Sequence, residues 1–182
     1  MKCLYFIRHG ESKANTDGVW GANTHLTDEG VQQAKKAARH AKEKGLTFNL
    51  IMSSPAVRAH DTAYEVALAT GYPIENIVLL DDIKERHFGE LEDTKVPDGI
   101  VSIHKKDETY IEKFRDVESM ATLQRRADKV LAMLKARPED NILIASHAAF
   151  GRALRRAVNA IPYTVSETEF TQIPNAEIIK LI

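Results

Sequence analysis

Cys3-Leu4-Tyr5-Phe6-Ile7-Arg8-His9-Gly10-Glu11-Ser12 is the stretch from which the rest of the chain can be read. Its first five residues are apolar and rich in strand formers, and the run stops at a charged pair followed by glycine. That pattern predicts a buried strand delivering Arg8 and His9 at its carboxyl end. The arrangement recurs. Leu50-Ile51-Met52-Ser53 precedes Ser54-Pro55 and Arg58, Ile77-Val78-Leu79-Leu80 precedes a polar loop holding Glu85, and Ile142-Leu143-Ile144-Ala145 precedes Ser146-His147.

Helical spacing fills the intervals. Thr27 is placed to cap a helix whose buried stripe is Val31, Ala34, Ala38 and Ala41, and Gly45 ends it. Ser54 and Pro55 read as the cap and first residue of the next helix, with Arg58 about one turn in. Ser119 opens a third, carrying Leu123, Val130, Leu131 and Leu134 and ended by Pro138, and a fourth covers about 149–159. Residues 176–182 read as a last strand. Strands alternating with helices predict one α/β domain over 1–182, a three-layer α/β/α sandwich with a mostly parallel sheet. Residues 11–25, rich in Gly, Asn and Thr, read as loop. Residues 94–117 carry Ile100, Ile103, Ile111 and Phe114 at partly helical spacing broken by charges, and read as an excursion from the core, a lid.

Composition narrows the class. The 182 residues are 43% hydrophobic and 28% charged with a formal net charge of −1, ordinary for a soluble enzyme. No overall basic field invites nucleic acid or an anionic membrane, so neither is expected as a partner. Cys3 is the single cysteine, which excludes an internal disulfide and a multi-cysteine metal site. The opening apolar run is too short for a signal-peptide core or a membrane span. A cytoplasmic protein is expected; nothing in the sequence sets an oligomeric state.

In an open parallel sheet the strands' carboxyl ends share one edge, and ligands bind in the crevice there. Arg8, His9, Arg58, Glu85 and His147 should therefore converge. Those residue types suit phosphoryl transfer, where charge spreads over the equatorial oxygens and catalysis is mostly positioning and electrostatics. Arginine forks bind such oxygens, a neutral imidazole can attack phosphorus, and a carboxylic acid can protonate the leaving oxygen. No metal or cofactor is implied. The chain has no His-Glu-x-x-His, Walker loop, Gly-x-Gly-x-x-Gly or Gly-x-Ser-x-Gly. His25, His40, His60, His87 and His104 read as non-catalytic, with His87 and Phe88 near enough to line a pocket. Arg125-Arg126 could be mistaken for an anion site, but on a helix one of the two reads as a solvated or structural arginine.

Arg8-His9-Gly10-Glu11-Ser12 with Asn15 resembles the signature of the histidine phosphatase superfamily, which includes cofactor-dependent phosphoglycerate mutases. Further blocks resemble that family in its order: Leu26-Thr27-Asp28-Glu29-Gly30, Ser53-Ser54-Pro55 with Arg58-Ala59 and Thr62-Ala63, Glu85-Arg86-His87-Phe88-Gly89, Glu118-Ser119 with Arg126, Ser146-His147 and Pro174-Asn175-Ala176. The resemblance implies that His9 is phosphorylated. It also implies that Arg8, Asn15, Arg58 and His147 bind the phosphoryl group, with His147 charged in the complex, and that Glu85 donates the proton. The family usually has glycine where this chain has Ala148, a change that keeps the backbone N–H donor, and often glycine in place of Asp93. The implied activity is metal-independent hydrolysis of a small phosphorylated metabolite. The alternatives are mutase-type phosphoryl transfer, against which 94–117 lacks a pair of arginines, and a non-catalytic relative that binds phosphorylated ligands.

Overall fold

A computed structural model describes residues 3–100, 107, 109–161 and 173–182. Strands β1 (Cys3–Arg8), β2 (Leu50–Ser53), β3 (Val78–Leu79), β4 (Asn141–Ser146) and β5 (Ile178–Lys180) form one sheet in the order β3-β2-β4-β1-β5. β1 pairs with β4, β4 with β2, and β2 with β3, all parallel, while β5 runs antiparallel to β1. The mostly parallel sandwich is as the alternating pattern predicts.

Side-chain alternation along the strands divides the apolar residues between two layers. Leu4, Phe6, Leu50, Met52, Ile142 and Ile144 face helices α4 (Met120–Ala136) and α5 (Ala148–Val158) through Leu123, Leu131, Phe150 and Leu154. Ile7, Ile51, Leu143 and Ala145 face α2 (Asp28–Glu43) and α3 (Val57–Thr70) through Ala37, Ala38, Ala63 and Val66. Small residues on α2 and α3 let that layer lie close. On the other side, a methyl on Gly151 would come within 2.4 Å of the Phe6 ring, so α5 rests directly on β1.

The Thr27 and Ser119 caps form as expected, their hydroxyls accepting from the Gly30 and Thr122 N–H groups. Three local expectations are corrected. Residues 11–25 are not all loop: Ser12 and Asn15 form a reciprocal capping box around a short helix α1 (Lys13–Asp17). The helix after β2 begins at Val57 with Ala56 as its cap, so Ser54 and Pro55 lie outside it and Arg58 is its second residue. β3 is shorter than the 77–80 run.

Over 94–117, Val96, Ile100, Ile111, Phe114 and Val117 gather with Trp20 and Phe88 in a small apolar cluster apart from the two sheet layers. As the partly helical spacing suggests, Asp98, Gly99 and Ile100 are helical, and a separate 3-10 turn covers Tyr110–Lys113. Ile103, His104, Lys105 and Lys106 lie outside the described residues. Asp93 adopts a left-handed backbone, φ 59°, so the loop keeps the turn that a glycine would favour. Among the described residues no helix is long and apolar enough to cross a membrane.

Candidate active site

The carboxyl ends of β1, β2 and β4 meet at His9. Its backbone N–H donates to the Ser146 carbonyl at 3.0 Å, and its own carbonyl accepts from Asn175 Nδ2 at 2.8 Å. The Gly10 N–H donates to Thr62 Oγ1 at 3.1 Å, which ties the loop to α3. Its other support is α2. A methyl on Gly10 would fall 2.4 Å from the Gly30 carbonyl oxygen, and one on Gly30 would fall 1.9 Å from that of Glu11. Two glycines thus let the His9 loop sit backbone to backbone on the first turn of α2, where Thr27 Oγ1 also donates to Glu11 Oε1 at 2.8 Å.

His9 is 3% exposed. Its Nδ1–H donates to the Gly10 carbonyl at 2.6 Å, and its Nε2 accepts from Arg58 Nε at 3.1 Å. These partners assign the neutral tautomer whose lone pair is on Nε2. Burial, followed by His147 and Arg58 nearby, holds His9 well below the ordinary 6.5 of an imidazole.

His147 caps α5 and is fully buried. Its Nδ1 accepts from Arg58 Nη2 at 3.3 Å, and its Nε2–H donates to Ser54 Oγ at 2.8 Å. Burial again dominates, with Arg58 and then Arg8 adding to it, and the imidazole is kept neutral. Arg58, 6% exposed, also donates to the Ala22 carbonyl at 2.9 Å. Burial opposes its charge while Glu85 and Glu92 favour it; a guanidinium stays protonated regardless. Arg8 is half-buried, donates through Nη1 to the Ile173 carbonyl at 3.1 Å, and has a buried Nε with no hydrogen-bond partner among the described residues.

Glu85 reaches the amino end of α5. Its Oε1 accepts from the N–H groups of Ala149 at 3.0 Å, Phe150 at 3.2 Å and Arg86 at 2.9 Å. The positive end of the helix dipole lies there as well. Ala148 is the first residue of that helix.

These groups border a cleft of about 360 Å³ whose lining includes Arg58, Glu85 and His147, with Asn23, Lys84, His87 and Glu92 around them. Phe88 faces the apolar cluster under 94–117 instead. Asn15 is exposed, and its Oδ1 is occupied by the Ser12 N–H and hydroxyl, each at 3.1 Å. The structure therefore brings His9, Arg58, Glu85 and His147 together, sets Arg8 beside them, and leaves Asn15 at the edge. Sequence reasoning did not single out Ser54 or Thr62, whose hydroxyls orient His147 and the His9 loop. The signal was present in the Ser53-Ser54-Pro55 and Thr62-Ala63 blocks, but a hydroxyl there reads first as a cap or a surface group. Among the described residues no group of three or more His, Cys, Asp or Glu is placed to hold a metal ion.

A mycobacterial glucosyl-3-phosphoglycerate phosphatase solved with VO3 superposes with a TM-score of 0.82 at 23% identity, over 99% of this chain and 92% of the other, which establishes the shared fold. The adenosylcobalamin/alpha-ribazole phosphatase of Escherichia coli is 35% identical over 91 residues, 49% of this chain and 42% of that protein. A 2,3-bisphosphoglycerate-dependent phosphoglycerate mutase of Borreliella burgdorferi is 31% identical over 94 residues, 50% of this chain and 38% of that protein. The chain thus spans about two fifths of the length of these curated relatives. The family profile described as the histidine phosphatase superfamily (branch 1) matches residues 4–182, and the chain belongs to that superfamily.

Proposed function

We infer that this protein is a phosphomonoesterase that hydrolyses a small phosphorylated metabolite through a phosphohistidine on His9. The observation that carries this reading is the buried, neutral His9 whose Nε2 lone pair lies against the Arg58 guanidinium. An arriving phosphoryl group would take the place of that contact, its oxygens bound by Arg58, Arg8 and the Ala148 N–H. Asn15 serves through its amide nitrogen, since its oxygen is engaged. The dianion gives His147 reason to take up a proton in the complex, and His147 then donates to a phosphoryl oxygen.

Nε2 attacks phosphorus as the ester P–O bond breaks, and Glu85 gives its proton to the departing oxygen. Water then attacks the phosphohistidine, Glu85 accepts the proton, the N–P bond breaks and phosphate leaves. Positive charge supplied by arginines does the work that a divalent ion does in other phosphatases, so activity is expected to survive exhaustive chelation. The described residues of 1–182 form the catalytic unit, 94–117 acts as its lid, and a cytoplasmic setting suits a single-thiol chain acting on metabolites.

The similarity to a phosphoglycerate mutase keeps a second reading in view, in which the phosphoryl group returns to another oxygen of a bisphosphorylated intermediate. Residues 94–117 hold one arginine, Arg115, which faces Glu90 at 3.8 Å, and that is a poor seat for a substrate carboxylate. The test is a panel of phosphorylated metabolites assayed for released phosphate beside a coupled assay for isomerised phosphoglycerate. Phosphate release should dominate. Faster isomerisation would favour the mutase, and tight binding of phosphate esters without turnover of any would favour the silent binder.

A further inference from the structure

Glu85 belongs to no helix or strand; it follows a 3-10 turn at Asp81–Ile83. A proton donor on an unbraced loop would be poorly aimed, and the brace here is one side chain from another element. Arg126, on the second turn of α4, donates from Nη1 to the Asp82 carbonyl at 2.9 Å and the Lys84 carbonyl at 2.8 Å. Its Nη2 donates to the Glu85 carbonyl at 3.2 Å and to Glu118 Oε2 at 2.7 Å, and its Nε to Glu118 Oε1 at 3.0 Å. A guanidinium has five N–H donors in a fixed fork, and all five are spent on this bracket.

Glu118 completes it. Its Oε2 accepts from the His87 N–H at 3.2 Å, and its carbonyl accepts from Arg86 Nε at 2.7 Å. The Arg126 and Glu118 side chains are only 18% and 11% exposed, so solvent screens the pair weakly. The guanidinium also lies 5.4 Å from the Phe150 ring, in the first turn of the helix whose N–H groups hold the Glu85 carboxylate. One side chain therefore grips the backbone of Glu85 and touches the element that receives its carboxyl.

We propose that Arg126, locked to Glu118, is the positioning residue of the proton-donor loop, setting the Glu85 carboxyl beside the phosphoryl site. This rests on Glu85 being the leaving-group acid, as inferred above. A brace of that kind has a signature that mere stabilisation lacks. An alkoxide leaving group needs the proton in the transition state and a nitrophenolate does not, so misplacing the acid slows one substrate and spares the other. Lysine, a point charge with three donors, cannot reproduce the fork.

The experiment compares Arg126→Met, Arg126→Lys and Glu85→Gln with the parent, by single turnover of glycerol phosphate and by the nitrophenolate burst from nitrophenyl phosphate. Thermal melts and vanadate affinity are measured on each. Glu85→Gln should slow the glycerol phosphate step by ~10²–10⁴-fold. Arg126→Met should slow it by roughly 10–10²-fold, as a misplaced rather than missing acid, with Arg126→Lys between it and the parent. In the Arg126 variants the nitrophenolate burst and vanadate affinity should stay at parent values. Equal losses on both substrates, or none on either, in a variant that melts like the parent would overturn the proposal. If Arg126→Met does not fold, Glu118→Gln keeps the volume, removes the charge from the bidentate pair and is judged by the same outcomes. Leaving-group dependence in Glu85→Gln but not in Arg126→Met removes the brace alone. Its absence in Glu85→Gln removes the acid assignment, and the brace with it.

Discussion

Arg58 and His147, which line the cleft, and His9 behind Arg58 are between 0% and 6% exposed, whereas Lys84 and His87 in the same lining are exposed loop residues and Glu92 is half-buried. The first group is fixed by strand pairing, helix starts and backbone hydrogen bonds. The second follows short 3-10 turns, one seated on the main core through Ile83, while Phe88 and Leu91 at the other join the small cluster with Trp20. The contrast separates what is done from what it is done to. The buried side sets tautomer, charge and distance before any ligand arrives, as electrostatic preorganisation requires. Under the proposed function, the exposed side would meet the part of the substrate that differs between metabolites.

The buried side is where damage should be greatest. His9→Ala should lower turnover of every phosphate ester on the order of 10⁴-fold or more while the fold melts normally. Acid-labile, base-stable phosphate should be trappable on the parent and absent from the variant; undiminished turnover in His9→Ala would end the nucleophile assignment. Arg58→Lys should cost ~10²–10³-fold, because one ammonium cannot serve the His9 and His147 contacts together. The contrast would break if Lys84→Ala or His87→Ala cost as much on nitrophenyl phosphate.

Acid should find the same place. Both buried imidazoles are held below 6.5, so as pH falls past about that value the unfolded chain takes up protons that the folded chain refuses. Stability from this source is full above pH ~6.5 and declines on acidification toward the folded-state values. His147→Gln, which keeps a donor for Ser54, should flatten the decline in urea midpoints between neutral and mildly acid pH. Unchanged slopes would mean that carboxylates elsewhere control acid sensitivity. At the exposed side the smallest effect is expected. Asp93→Gly should relieve the left-handed backbone and raise stability by up to about 1 kcal/mol, read from the thermal midpoint, with turnover unchanged.

The same division explains what the amino-acid sequence alone could tell. Strand ends are legible because burial forces apolar runs, so Arg8, His9 and His147 announce themselves by interrupting them. Caps that satisfy only their own helix, Thr27 and Ser119, were legible too. Ser54 was not. Local rules make it a helix cap ahead of Pro55, but its hydroxyl serves His147, ninety-three residues on, and the helix starts later to allow it. Arg126 read as a structural or solvated arginine for a similar reason, since three of its acceptors are carbonyls of 82–85, more than forty residues away, which no spacing rule connects. Residues 94–117 resisted because their apolar residues close on Trp20 and Phe88, a small cluster apart from the sheet, so no stripe facing the sheet is needed.

β5 has a consequence for how the protein comes into being. The strand that presents His9 is flanked by β4 and by β5, and Asn175 and Ala176 bond to the carbonyls of His9 and Arg8 at 2.8 and 2.9 Å. The His9 loop and the residue that closes on it stand 166 positions apart in the chain, so this contact forms only after that whole span has been made. A growing chain therefore carries His9 without these bonds until Asn175 and Ala176 have been made. The seat of His9 is thus completed by chain made long after it, and the proposed activity is expected only of chains that include β5.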